Sequence, residues 1–126
     1  MFRFEKLDVW HRAIQFTGRI YGTTREFPSD ERFGLTSQFR RAAVSISSNS
    51  AEGSSRRSET DFARFLEIAY GSLMEVVSQL HIEKRQGFIP EGVHTELYEE
   101  SEQLARMLSG LKASLSQSNR ASQEGR

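Results

Sequence analysis

Two arginine pairs, Arg40-Arg41 and Arg56-Arg57, are the residues best equipped for ligand chemistry. A guanidinium group grips a phosphate through two parallel hydrogen bonds, so the four form a candidate nucleic-acid-binding set. The competing reading is structural, because surface charges are usually only solvated. Arg41 shares a helical face with Ser45 and Glu52 and could pair with Glu75 on a neighbouring helix. No aromatic residues interleave with the arginines to make a base-stacking platform. A second polar group comprises Arg41, Asn49, Glu52 and Glu75. A catalytic carboxylate pair needs a partner for proton transfer, and no histidine is evident beside it. These residues read instead as a buried, hydrogen-bonded network that fixes helix register or a subunit contact.

The other reactive residue types form no constellation. Glu91-Gly92-Val93-His94 matches one Glu-x-x-His element of a di-iron bundle, but such a site needs two of them and two further glutamates. His11 and His81 stand alone. Gly53-Ser54-Ser55-Arg56 lacks the Gly-Lys-Ser/Thr ending of a phosphate loop, and no Ser/His/Asp arrangement can be argued. There is no cysteine, so disulfides and thiolate metal sites are excluded. The expectation is a non-enzymatic protein with no catalytic residue, no metal and no cofactor.

The elements that carry these residues are helices. Apolar spacing predicts four of them, over about 7–26, 30–52, 58–86 and 90–115, with Asp8 as the first N-cap. The first helix is expected to turn Trp10, Ala13, Ile14, Thr17, Ile20, Tyr21 and Thr24 inward. Ser29 is read as the second helix's cap. Gly53 is placed as its stop, and Gly87 as the stop of the third. Ser58 and Asp61 resemble a capping box. On the second helix, Leu35, Phe39, Ala42, Ile46, Asn49 and Gly53 form the core stripe. Its back carries Ser37, Val44, Ser48 and Ala51 where a surface helix would carry Glu and Lys. The third helix repeats this, with Phe62, Phe65, Leu66, Ala69, Leu73, Val76, Val77 and Leu80 inward and Gly71, Met74 and Ser78 outward. Small outward residues let another backbone approach, so Ser37, Val44, Ser48, Ala51, Gly71, Met74 and Ser78 are candidate oligomer-interface residues. The fourth helix advances through Val93, Leu97, Ser101, Leu104, Leu108, Leu111 and Leu115. Residues 116–126 contain no apolar residue but one alanine and read as a disordered tail. With short connections, the fold class is all-α, an antiparallel up-down-up-down four-helix bundle over residues 1–115.

A chain of 126 residues is one domain and can bury about two-thirds of its unfolded surface. Its 17 basic and 17 acidic residues balance, which forces no polyelectrolyte partner. The balance hides an asymmetry: residues 1–57 hold ten Lys/Arg against six Asp/Glu, and the remainder seven against eleven. No stretch approaches the 18 or more apolar residues of a membrane span. The start, MFRFEKLDVW, lacks a signal peptide's apolar segment. A soluble, cytoplasmic protein with no membrane partner is expected.

The segment LTSQFRRAAVSISSNSAEG, followed by RFLEIAYGSLMEV, resembles the four-helix-bundle family of 23S ribosomal RNA intervening-sequence proteins. The matching residues are Arg40-Arg41 before a small-residue run, Asn49-Ser50-Ala51-Glu52-Gly53, then Phe65-Leu66, Ala69, Gly71-Ser72 and Glu75. FEKLDVWHRA and FPSDERFGL also look like the family, and the likeness covers about residues 4–115. Ser47 and Ser50 depart from it, standing where proline or small residues and an aliphatic residue are usual. The resemblance implies a bundle assembling into a ring-like homopentamer. More distantly, the fold is similar to the accessory variability determinant of diversity-generating retroelements, which binds a reverse transcriptase and nucleic acid. On these grounds the expected function is an oligomeric scaffold whose partners are itself and RNA, DNA or a reverse-transcriptase-like protein. The alternative is a purely structural or protein-binding homo-oligomer.

Overall fold

Four long helices account for nearly all of the computed structural model, which describes the backbone of residues 1–124 and side chains as far as Gln117. They are α1 (Asp8–Thr24), α2 (Leu35–Ser54), α3 (Glu59–Arg85) and α4 (Glu91–Glu124), with short 3-10 helices at Arg3–Lys6 and Ser29–Glu31. There is no strand among the described residues. The arrangement is an all-helical fold consistent with a four-helix bundle. α2 and α3 share the largest contact, α1 packs on α2 and α4 on α3, and α1 and α4 touch least. One core joins them, from Val9, Ala13, Phe16 and Ile20 through Phe39, Ala43 and Ile46 to Leu66, Leu73, Val76 and Leu80, and on to Leu97, Leu104 and Leu108.

The helix ends show which residues do the terminating. Ser58 caps α3, its hydroxyl accepting from the Asp61 N–H at 3.1 Å. Gly87 has φ of 76°, a left-handed conformation that glycine adopts without a Cβ penalty, and it ends α3. Asp8 is not the cap of α1; that place falls to Leu7, and Asp8 lies in the first turn. α2 starts later than residue 30. A single 3-10 turn occupies Ser29–Glu31, and the chain breaks again at Gly34. Glu31 then serves α2 from outside, its carboxylate accepting from the Leu35 N–H at 3.2 Å. α4 does not stop at 115. No Gly or Pro occurs between Leu115 and Glu124, so helix occupies most of the expected tail, while Gly125 and Arg126 lie outside the described residues.

α1 buries Ala13, Ile20 and Thr24 as expected, but the edges of its face differ: Val9 and Phe16 are also buried, and Ile14 and Tyr21 are exposed. Phe27, just before Pro28, fills the bundle end against Phe39 and Phe88. The lead-in tucks Phe4, with its ring edge-on to Trp10 at 5.0 Å, and leaves Phe2 exposed. His11 Nε2 lies 2.6 Å from the Glu5 carbonyl oxygen, with its ring 5.1 Å from that of Trp10.

α2 is the thin helix at the centre. Its buried face includes Ala42, Ala43, Ser47, Ser50, Gly53 and Ser54. The buried hydroxyls are satisfied on their own helix: Ser50 donates to the Ile46 carbonyl at 2.8 Å, Ser47 to Val44 at 3.0 Å and Ser54 to Ala51 at 2.7 Å. Such back-bonding removes the penalty of burying a hydroxyl. Gly53 is not the helix stop, because α2 runs on through Ser54. Its role is steric. A Cβ there would stand 2.6 Å from Phe65 Cβ and 3.0 Å from Phe62 Cδ1.

Gly53→Ala is therefore expected to lower stability by about 1–3 kcal/mol in urea unfolding, against alanine's helix-propensity advantage of up to about 1 kcal/mol. Gly71→Ala is the control. Its added methyl meets nothing within 4 Å, so in the single chain it should be neutral or stabilising.

Candidate nucleic-acid interface

The four arginines do not converge. Arg41 and Arg56 are 15 positions apart, which on a helix is about 22 Å. Arg40 is half-buried and committed to α1, its Nε donating to Thr24 Oγ1 at 2.7 Å and its guanidinium lying 4.6 Å from the Tyr21 ring centre. Arg41, expected to be structural, is the exposed one of the pair. It borders a groove between α2 and α3 with Gln38, Ser45, Ser72 and Glu75. Ser45 and Ser72 bridge the floor of that groove through hydroxyls 2.8 Å apart.

The α2–α3 connection adds two arginines that sequence reasoning missed, Arg3 and Arg64, to the expected Arg56. Arg56 lies over the Phe65 ring at 4.5 Å and Arg64 over the same ring at 5.2 Å. Arg3 joins them from the N-terminal segment, over Phe62 at 5.0 Å and donating to the Ser54 carbonyl at 3.4 Å. Most of this charge is compensated locally. Arg3 pairs with Glu59 at 3.7 Å, Arg56 with Glu52 at 3.5 Å and Arg64 with Asp61 at 3.7 Å. Arg57 is exposed and makes no ion pair among the described residues. Exposed pairs of this kind hold each other weakly, so the arginines can exchange partners with phosphate at little cost.

The expected buried network of Arg41, Asn49, Glu52 and Glu75 does not form within the chain. Arg41, Glu52 and Glu75 are exposed. Asn49 bonds only to Ser45, through its carbonyl and hydroxyl oxygens, both at 2.9 Å. The buried polar residues lie elsewhere. Gln79 and Glu83, one turn apart on α3, are buried, and among the described residues Gln79 Oε1 and both Glu83 oxygens have no hydrogen-bond partner. Burial alone pushes the Glu83 carboxyl up to about 8. A glutamate at a position that continues the core spacing of Val76 and Leu80 gave no warning in the sequence beyond that spacing.

A second cluster sits where α3 meets α4. His94 is buried, and its Nε2 lies 3.4 Å from Nδ1 of exposed His81, with the Tyr98 ring beside both. Desolvation lowers the pKa of His94, and the nearby Lys84 and His81 lower it further, against the opposing effect of Glu91. The sequence signal was available: His81 and His94 lie nearly symmetrically about Gly87, with Lys84 and Glu91 nested inside and 3.9 Å apart. No three His, Cys, Asp or Glu residues come together as a ready metal site among the described residues.

The outward backs of α2 and α3 carry exposed apolar residues among small ones. Val44 is 39% exposed, Ile68 44%, Met74 41% and Ile82 45%. Ser48, Gly71 and Ser78 between them are also exposed, while Ser37 and Ala51 are half-buried.

Comparisons with known proteins agree on the fold. The sequence model described as "23S rRNA-intervening sequence protein" matches residues 5–110. A crystallised protein of unknown function from the S23 ribosomal protein family of Bacteroides thetaiotaomicron superposes with a TM-score of 0.77. It is 22% identical, and the match covers 83% of this chain and 95% of that one. No curated protein matches the sequence.

Glu83 and His94 give opposite pH dependences. A carboxyl raised from 4.5 to about 8 on folding stabilises fully below its unfolded value, and that contribution is lost as pH rises toward 8. Glu83→Gln should remove this slope and raise stability at pH 8 and above by a few kcal/mol, read from urea midpoints across pH. The depressed His94 acts the other way, costing stability as pH falls below the ordinary histidine value. His94→Gln should flatten that acid limb.

Proposed function

We propose a function from one premise: this chain belongs to the 23S rRNA-intervening sequence protein family. The reading is a non-enzymatic, ring-like homopentameric scaffold that binds nucleic acid or a nucleic-acid-handling protein. The observation that carries it is the outward face of α2 and α3. Large apolar side chains at Val44, Ile68, Met74 and Ile82 are two-fifths exposed or nearly so, interspersed with glycine and serine. Exposed large apolar side chains gathered on two neighbouring helices support an interaction site there. Arg41 and Glu75 supply opposite charges beside it, suited to fixing register between copies.

An antiparallel up-down-up-down order underlies this reading. Thr17 meets Ala43 whereas Thr24, later in α1, meets the earlier Arg40. Ser45 meets Ser72 whereas Gly53, later in α2, faces the earlier Phe65. Lys84 pairs with Glu91, and the earlier Glu67 with the later Lys112.

Nucleic acid would be held at the α2–α3 connection, where Arg57 makes no ion pair among the described residues and Arg3, Arg56 and Arg64 are held by weak surface pairs. One subunit offers little net charge there, but copies around a ring would act together through effective concentration. The second reading, a structural or protein-binding oligomer without nucleic acid, draws on the same ion pairs: three of the four arginines at this end already have acidic partners.

Assembly is tested by light scattering at tens of micromolar. The expected mass is about five times the 14.4 kDa chain, and Val44→Glu with Met74→Glu should reduce it to one chain with helical circular dichroism unchanged. A single-chain particle for the natural sequence would remove the ring. Nucleic acid is tested by RNA anisotropy titration at several salt concentrations. Arg56→Glu/Arg57→Glu should abolish binding at low salt, and the logarithm of affinity should fall linearly with that of salt concentration. No binding by the natural sequence at low salt would favour the second reading. Among the described residues no helix is long and apolar enough to cross a membrane.

A further inference from the structure

We propose that His81 and His94 are the two-nitrogen anchor of a site for a divalent transition-metal ion of the zinc class, at the seam of α3 and α4. The nitrogens that face each other, His81 Nδ1 and His94 Nε2, are 3.4 Å apart, with ring centres 5.2 Å apart and planes inclined by 49°. Zinc holds imidazole nitrogens at about 2.0–2.1 Å in tetrahedral geometry, which sets two ligand nitrogens roughly 3.3 Å apart and their ring centres roughly 5.2 Å apart. A direct hydrogen bond fits less well. It prefers a donor–acceptor distance of about 2.7–3.2 Å. Two rings aligned along a 3.4 Å line would have centres nearer about 5.7 Å on that same straight geometry. The shorter observed separation means that at least one ring is tilted off the nitrogen–nitrogen line, a tilt that a shared ion accommodates and a straight hydrogen bond does not.

The surroundings suit a ligand pair. His94 is 8% exposed, so its ring is held by packing, and the Tyr98 ring stacks on it at 6.1 Å with planes inclined by 21°. His81 is exposed, which leaves the outer side open to water for the remaining coordination positions. Glu91 lies one turn before His94 on α4, and its charge acts on that ring. It now faces Lys84 at 3.9 Å, a weak surface pair, and on turning from Lys84 its carboxylate is the further donor the site can recruit. Imidazole and carboxylate together suit zinc-class ions rather than calcium or magnesium.

The test is calorimetric titration of the full chain with Zn2+, followed in parallel by histidine ring resonances in NMR. One ion per chain should bind, shifting the rings of His81 and His94 and leaving His11 unmoved. His81→Ala removes an exposed side chain and should keep the helical spectrum, yet weaken Zn2+ at least tenfold; His94→Ala should do the same. Absence of heat and of ring shifts at millimolar Zn2+ would overturn the proposal. So would undiminished affinity in the folded His81→Ala chain, or shifts confined to His11.

Discussion

The closeness of α2 to its neighbours is the constraint on which the rest of the molecule depends. A helix faced with alanine, serine and glycine has a small radius, so two other helices can approach it at once. At Gly53 the approach is so tight that a single methyl group would collide with two phenylalanines. The cost is that small polar residues contribute little apolar area. Most of the large rings come from the partners, Phe16 from α1 and Phe62 and Phe65 from α3, with Phe39 the one ring α2 adds. α2 thus forms much of the floor of the core while its neighbours supply most of the aromatic volume, and its serines are tolerated because each hydroxyl finds a carbonyl one turn back.

The same geometry explains how much could be read from the chain. Periodicity recovers four helices because their apolar repeats are long, and Ser58 and Gly87 punctuate them with residues whose conformational preferences are local. Gly53 misleads because a glycine near a helix end suits both a stop and a close contact, and only the presence of Phe62 and Phe65 across the gap decides between them. Arg40 and Arg41 are adjacent letters with opposite fates, one clamped to α1 and the other exposed. A rotation of 100° per residue separates them, and the sequence does not say where the neighbouring helix lies. Glu83 and the His81–His94 pair were legible in position only. Neither the burial of the acid nor the meeting of the rings follows from spacing until the helices have been packed.

Charge is laid out by the same logic. The basic first half and acidic second half meet where α1 faces α4, Arg19 reaching both Glu96 and Glu100. This is the contact with the fewest packed residues, and electrostatics supplements it there. At the opposite seam, α2 on α3, packing is dense and the link is a neutral pair of serines. Two further ion pairs, Lys84–Glu91 and Glu67–Lys112, cross between α3 and α4, so charge ties α4 to both of its neighbours while the densest seam uses small neutral groups.

Trp10 is the only tryptophan, and it sits at the margin, sandwiched between the Phe4 ring and the His11 imidazole. Its emission therefore reports on the moored N-terminal segment and not on the interior. Indole fluorescence, which imidazole quenches on close approach, would follow the casting-off of residues 1–7 while the helices behind them stayed folded. A single optical signal from this chain describes its edge, and the tyrosines and far-ultraviolet dichroism must speak for the rest.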